Sequence, residues 1–231
     1  MSSIEDSLTY PMESDDWLVT VLIGGVLTFL SFLVVPMFLV SGYLVRAIRA
    51  NLDGEPEPPA FGDWGELLVD GLKATVIGFV YMLVPLIVMS VTVGGAVLAM
   101  ATGSEAGAVA GIGGMMIGLL LSFVLVLLFG YLSAVGIVNF AREERFGAAF
   151  DVAVLRDVGF DMKFAVPYLV SVGVLVVAGI VASIPVVGFV LGVFVSFYAL
   201  IVAARLWTDG FTQARDPAGS NRRRELDETV A

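Results

Sequence analysis

The chain has 231 residues, 58% of them hydrophobic and only 15% charged, which is too apolar for an ordinary soluble domain, where about a quarter carry charge. A formal net charge of −10, from 12 Lys and Arg against 22 Asp and Glu, argues against a nucleic-acid partner. With no Cys and no His, disulfides, thiolate chemistry and the commonest general base and metal ligand are excluded.

Charge collects in short polar segments separated by long uncharged runs, which points to one membrane domain over residues 17–211. Residues 1–16, MSSIEDSLTYPMESDD, read as an acidic extracellular tail. They lack the basic n-region of a signal peptide, so Trp17 onward is expected to be a retained membrane segment.

The first predicted crossing opens at Asp15–Trp17, an N-cap followed by an interfacial aromatic, and continues toward Ala50. From Leu18 to Val45 it carries no charge, enough to cross roughly 30 Å of hydrocarbon before Arg46 and Arg49. Pro36 either kinks it or turns the chain. The sequence favours a kinked or protruding single crossing, because VVPMF lacks polar turn residues and a hairpin there leaves a short return leg.

Asn51–Asp63 is a turn-rich loop in which Asp53-Gly54 stops the helix and Pro56, Pro58 and Pro59 block its continuation. Trp64–Lys73 reads as an amphipathic lead-in to a second crossing over about 74–100, with Pro85 inside it. A flexible connection at 101–111 precedes a third crossing, about 112–141, which ends at Arg142. Phe146–Lys163 is a second amphipathic connection. The 41 uncharged residues from Phe164 to Ala204 divide into a fourth crossing, about 164–183, and a fifth, about 186–207, with a turn near Ile184-Pro185. Residues 212–231 read as a disordered cytoplasmic tail.

The expected fold is therefore all-α: a polytopic membrane bundle of about five transmembrane helices, with the N-terminus outside and the C-terminus inside. That orientation gathers every Lys and Arg on one side, as the positive-inside rule asks. A six-helix alternative, with the chain turning at Pro36 and the N-terminus inside, leaves the other helices oriented as before. A tandem parallel repeat is also suggested, about 18–101 and 111–184 with a final helix at about 186–207. Both copies run Gly-Tyr-Leu (42–44, 130–132), Phe-Gly (61–62, 146–147) and Lys (Lys73, Lys163) before the next crossing.

Small residues recur at helix-packing spacing in three pairs: Gly107 with Gly111, Gly114 with Gly118, and Gly188 with Gly192. Polar candidates gather at the inner interface: Arg46, Arg49, Asp53, Trp64, Asp70, Lys73, Arg142, Lys163, Arg205 and Asp209. Glu66 and Asp70 share a helix face, which suits either a divalent ion or a wetted interfacial helix. No charge lies in the central part of an assigned crossing, and the intramembrane Ser and Thr can bond to their own helix. No catalytic, cofactor-binding or metal-binding residue is identified. The expectation is a non-enzymatic structural or partner-interaction module, in contact with membrane lipids and open to homo-oligomers or a membrane-protein partner. A passive channel or transporter is the alternative. A membrane enzyme built on Asp63, Asp70 and the 151–161 connection is the third reading.

The segments GYLVRAIRANLDGEPEPPAFGDWGELLVDGLK and YALIVAARLWTDGF, with the second GYL and its sequel, resemble an uncharacterised haloarchaeal integral-membrane family, domain of unknown function 4013. The resemblance covers about Asp15 to Phe211 and implies a multi-pass protein of a salt-loving archaeon. It brings no substrate and no catalytic residue. More remotely the chain resembles membrane domains attached to some glycerophosphodiesterases, without their catalytic barrel.

Overall fold

The computed structural model describes residues 4–185 and 187–215, all-helical with no strand among the described residues. Its helices are α1 (Ile4–Thr9), α2 (Trp17–Phe29), α3 (Val35–Asp53), α4 (Trp64–Ala101), α5 (Glu105–Glu143), α6 (Val152–Gly159), α7 (Met162–Ala182) and α8 (Val187–Arg215). Four of them, α4, α5, α7 and α8, are long and apolar enough to cross a membrane. The count is five if the bent N-terminal pair forms one span. The chain divides into a larger unit, up to Thr75 and from Val135 onward, and a smaller unit, Val76–Ala134.

In the larger unit α8 is the central helix. Half of its apolar stretch is buried, against 17% for α7, and Phe197, Ile201, Val202, Ala203 and Ala204 are almost completely enclosed. The predicted first crossing is broken beside it. α2 ends in a short 3-10 turn at Leu30–Phe32, and α3 restarts at Val35 with Pro36 in its first turn, where a missing N–H costs nothing. Between them Val34 takes φ +38°, a strained value for a β-branched residue. Thr28 and Ser31 donate to the carbonyls of Gly24 and Leu27, which loosens the ladder just ahead of the break.

The contacts with α8 fix the direction of each leg. Gly25 abuts Phe194 while Tyr10, just ahead of α2, lies under Arg205, so α2 runs antiparallel to α8. Tyr43 lies 5.2 Å from Phe197 and Asn51 pairs with Arg205, so α3 runs parallel to it. α2 and α3 therefore form a hairpin. The single kinked crossing is corrected to a turn at residues 30–34, made without polar residues by a 3-10 turn, one strained valine and a proline restart.

The N-terminal segment is corrected with it. Residues 4–12 form a packed helix and turn, not a tail, with Ser7, Tyr10 and Pro11 buried. They meet the Trp17–Phe32 segment at 86°. Tyr198 donates its hydroxyl to the Leu8 carbonyl at 2.6 Å, and Tyr10 lies under Arg205. The acidic segment thus sits at the Arg205 end of this unit, and not at the end opposite the basic residues. Its buried Tyr10 and Pro11 hold it there, with the Arg205 guanidinium over the Tyr10 ring.

α3 ends as expected at Gly54, whose φ of +79° lets the Glu55 N–H reach back to the Ala50 carbonyl at 2.9 Å. The loop then folds over α3: the Tyr43 hydroxyl donates to Pro59, and the Phe61 ring stacks on Tyr43 at 4.4 Å. Trp64–Lys73 is not a separate lead-in but the first turns of α4. Here α3 and α4 pack backbone to backbone, since a Cβ on Gly42 would overlap the Leu67 carbonyl and one on Gly71 the Phe38 carbonyl.

In the second half of the unit, Asn139 donates to the Ala148 carbonyl at 2.8 Å and ties down the connection after α5. Asp151 caps α6 and Asp161 caps α7. The turn between the fourth and fifth predicted crossings falls between Ala182 and Val187. α8 continues to Arg215, beyond the predicted boundary near 207, because Thr208 and Phe211 are buried. The rest of the predicted tail, 216–231, lies outside the described residues. The two Phe-Gly pairs behave differently: Phe61 stacks on Tyr43, whereas Phe146 is exposed and meets Phe150 at 5.6 Å.

The smaller unit is the α4–α5 hairpin. Its turn holds Gly103 at φ +68°, and Ser104 accepts from the Gly107 N–H at 3.0 Å to start α5. Gly107, Gly111 and Gly118 press against Ala99, Ala96 with Met100, and Thr92 of α4. Gly114 has only the Ala96 Cβ, 3.7 Å from where its own Cβ would be, an ordinary contact.

Candidate functional site

The polar chemistry of the larger unit concentrates where α3, α5 and α8 end. Arg46 and Arg49 lie one turn apart on α3 and reach across to α4. Arg46 donates to the Gly62 carbonyl at 2.8 Å and lies 3.5 Å from Glu66. Arg49 donates to the Asp70 carboxylate, lies 3.7 Å from both Glu66 and Glu144, and reaches the Ala141 carbonyl at 3.4 Å. Asp70 is buried, with Lys73 3.8 Å away on its own helix. A carboxylate taken out of water needs such partners, because unpaired it would cost several kcal/mol, on the order of 3–5. The i,i+4 pair Glu66 and Asp70 does share a face, and what it holds there is a guanidinium from α3.

A second cluster surrounds Arg205 on α8. Its Nη1 donates to Asn51 Oδ1 at 2.6 Å, its Nε lies 3.6 Å from Asp209, and its guanidinium stacks 4.9 Å above the Tyr10 ring. Both clusters use α3, Arg49 on one face and Asn51 on another, so α3 joins α4, α5 and α8 at this end.

Between the three helix ends lies a cleft of about 460 Å³. Its polar walls are Arg49, Asp53, Arg142, Glu144, Thr212 and Arg215, and Leu52, Ala141 and Phe211 supply the apolar ones. For Arg142 and Arg215 no ion pair within 4.0 Å is present among the described residues. Glu144 takes a left-handed backbone, φ +54°, as the chain leaves α5 beside the cleft.

Of the predicted inner-interface residues, Arg46, Arg49, Asp70 and Lys73 form one ionic group. Asp53 and Arg142 line the cleft, and Arg205 and Asp209 make the neighbouring cluster. Trp64 stands apart, half exposed and stacked 5.8 Å from Phe61, and Lys163 is exposed at the start of α7, its carbonyl against Gly210. The packing glycines Gly188 and Gly192 meet the end of α7 at Val181 and Ala182. Sequence reasoning missed Tyr10, Asn51, Thr212 and Arg215. Only the buried tyrosine next to a proline carried any local sign, since the rest depend on contacts between distant helices. Of the carboxylates in the third reading, Asp70 is paired with Arg49, while Asp151 and Asp161 cap helices.

A family model described as "Protein of unknown function (DUF4013)" matches residues 29–200. No curated protein and no solved structure matches the chain. The match covers most of the chain, from the α2–α3 turn into α8, so the chain belongs to the DUF4013 family.

Proposed function

We propose that this member of the DUF4013 family is a non-enzymatic, multi-pass protein of the cell membrane that serves as a structural or partner-interaction module. The observation that carries the reading is the disposition of polar groups. The crossing helices turn large apolar side chains outward, among them Phe79, Leu98, Met116, Leu120, Leu169 and Ile180. Several of their hydroxyls are spent locally: Ser90 donates to Leu86, Thr92 to Val88, Ser183 to Ile180 and Thr208 to Ala204, while Ser122 on α5 is buried without such a bond. Hydroxyls bonded to their own helix are poor lining for a hydrated path, which places the channel reading second. The acid-rich, lysine-poor loops support origin in a salt-loving archaeon as part of the same proposal.

Two measurements test it. The chain should stay in the membrane pellet after alkaline extraction, and recovery in the supernatant overturns the membrane assignment. Liposomes containing it should leak chloride, potassium and small neutral solutes no faster than empty ones. A protein-dependent flux overturns the structural module in favour of a channel.

A further inference from the structure

We infer that the cleft between the ends of α3, α5 and α8 binds a phosphodiester headgroup that carries its own N–H or O–H donors. The inference rests on the membrane reading above and names the chemistry of one partner. Arg49 is already engaged by Asp70, Glu66 and Glu144, so the anion-binding capacity of the cleft comes from elsewhere. Arg142 and Arg215 supply it from two different helices, with the Thr212 hydroxyl one turn before Arg215. Guanidinium groups present paired donors in a planar fork that suits two phosphate oxygens.

The rest of the cleft selects what is attached to the phosphate. Asp53 and Glu144 line the same space, and α3 and α5 end there with the negative ends of their dipoles. A bare anion would meet those acceptors unfavourably. A headgroup bearing ammonium or hydroxyl donors satisfies them while its phosphate reaches the arginines. Choline has no donor to offer. The apolar walls, Leu52 and Phe211, fit the carbon atoms between the two polar parts. Basic side chains at helix ends lie at the level of lipid phosphates, so a phospholipid is one source, and a free phosphodiester with the same headgroup is the other.

The test uses the full chain in nanodiscs of phosphatidylcholine with equal parts of phosphatidylethanolamine or phosphatidylglycerol, followed by native mass spectrometry of the retained lipids. Two guanidiniums at a membrane surface strengthen retention of a phosphate about thirtyfold. The expected result is severalfold enrichment of a donor-bearing lipid over phosphatidylcholine in the wild type, with the Arg142→Gln/Arg215→Gln double variant losing retention of every phosphodiester lipid by about that thirtyfold factor. Asp53→Asn should reduce discrimination against choline while phosphate-dependent retention persists. Arg156→Gln, an exposed arginine on α6 outside this cleft, should change nothing. If the double variant fails to fold, as judged by its thermal transition, Thr212→Val replaces it and should lower lipid retention severalfold. Displacement by soluble glycerophosphoethanolamine assigns the site to free phosphodiesters, and persistence of the bound lipid assigns it to the bilayer. Equal retention of phosphatidylcholine by the wild type, or undiminished lipid retention in the double variant, overturns the inference and leaves the membrane reading intact. A chain that does not enter the nanodisc sinks both.

Discussion

Arg205 lays its guanidinium 4.9 Å above the ring of Tyr10, so the first turn of the chain and the last helix share one buried contact. The Tyr10 side chain is almost wholly enclosed, yet its hydroxyl has no hydrogen-bond partner. Its contribution therefore lies in the ring and not in the oxygen. Tyr10→Ala should destabilise the protein by about 3 kcal/mol through lost packing and the cavity left behind. Tyr10→Phe keeps the ring and removes an unsatisfied group, so it should leave stability unchanged within about 0.5 kcal/mol or raise it. Equilibrium unfolding in mixed micelles reads both. A Phe variant as damaged as the Ala variant would mean that the hydroxyl is bonded in the folded protein.

The ionic group on α3 and α4 makes a graded prediction. Asp70→Ala leaves Arg49 only its longer pairs with the exposed Glu66 and Glu144 and should cost about 2–3 kcal/mol. Replacing both partners with apolar residues, Arg49→Met with Asp70→Leu, should cost less than Asp70→Ala alone. Glu66 is 60% exposed, and Glu66→Gln should cost under about 1 kcal/mol because solvent screens its pair. The ranking is checked by a double-mutant cycle on unfolding free energies. Equal losses for Glu66→Gln and Asp70→Ala would place the stabilisation elsewhere.

Glycines separate into two kinds. Gly42→Ala or Gly71→Ala drives a methyl into the backbone of the facing helix, which cannot move aside as a side chain would, and each should cost more than about 2 kcal/mol. Gly113 has nothing within 4 Å of its added Cβ, so Gly113→Ala should be neutral or stabilising by up to about 1 kcal/mol through helix propensity. Thermal midpoints of the three variants decide the matter. A destabilised Gly113→Ala would reveal a contact made by that face in the membrane.

Sidedness tests the hairpin directly, and the absence of native cysteine makes the experiment clean. Single cysteines at Ser14 and Glu55 flank the α2–α3 hairpin and should react with an impermeant maleimide from the same side of sealed vesicles. Reaction from opposite sides would restore a single crossing through Pro36.

Much of the architecture was legible because its signals are local. Uncharged length marked the long helices, Asp53-Gly54 marked the end of α3, and the Ile184-Pro185 turn was placed despite having no polar loop. The α2–α3 hairpin was not legible as the preferred reading, because the usual sign of a turn is polarity. Among apolar neighbours a 3-10 turn and one strained valine suffice, and neither leaves a compositional trace. At the site, Arg49, Asp70 and Arg205 could be nominated because charges at the edges of apolar runs stand out. Their partners could not: Asn51 meets Arg205, and Ala141 meets Arg49, only after separate helices have packed. Gly42 and Gly71 escaped the small-residue search because they face each other from different helices and do not recur along one.

The hairpin formed by α2 and α3 also constrains the order in which the protein can mature. Phe194, Phe197 and Arg205, the side chains against which it rests, leave the ribosome long after the hairpin itself. Its return leg meets Arg46 after a short uncharged stretch, so the two legs are suited to entering the bilayer together and not one after the other. The hairpin must then wait, inserted but unpacked, until translation of α8 gives it a surface to close on.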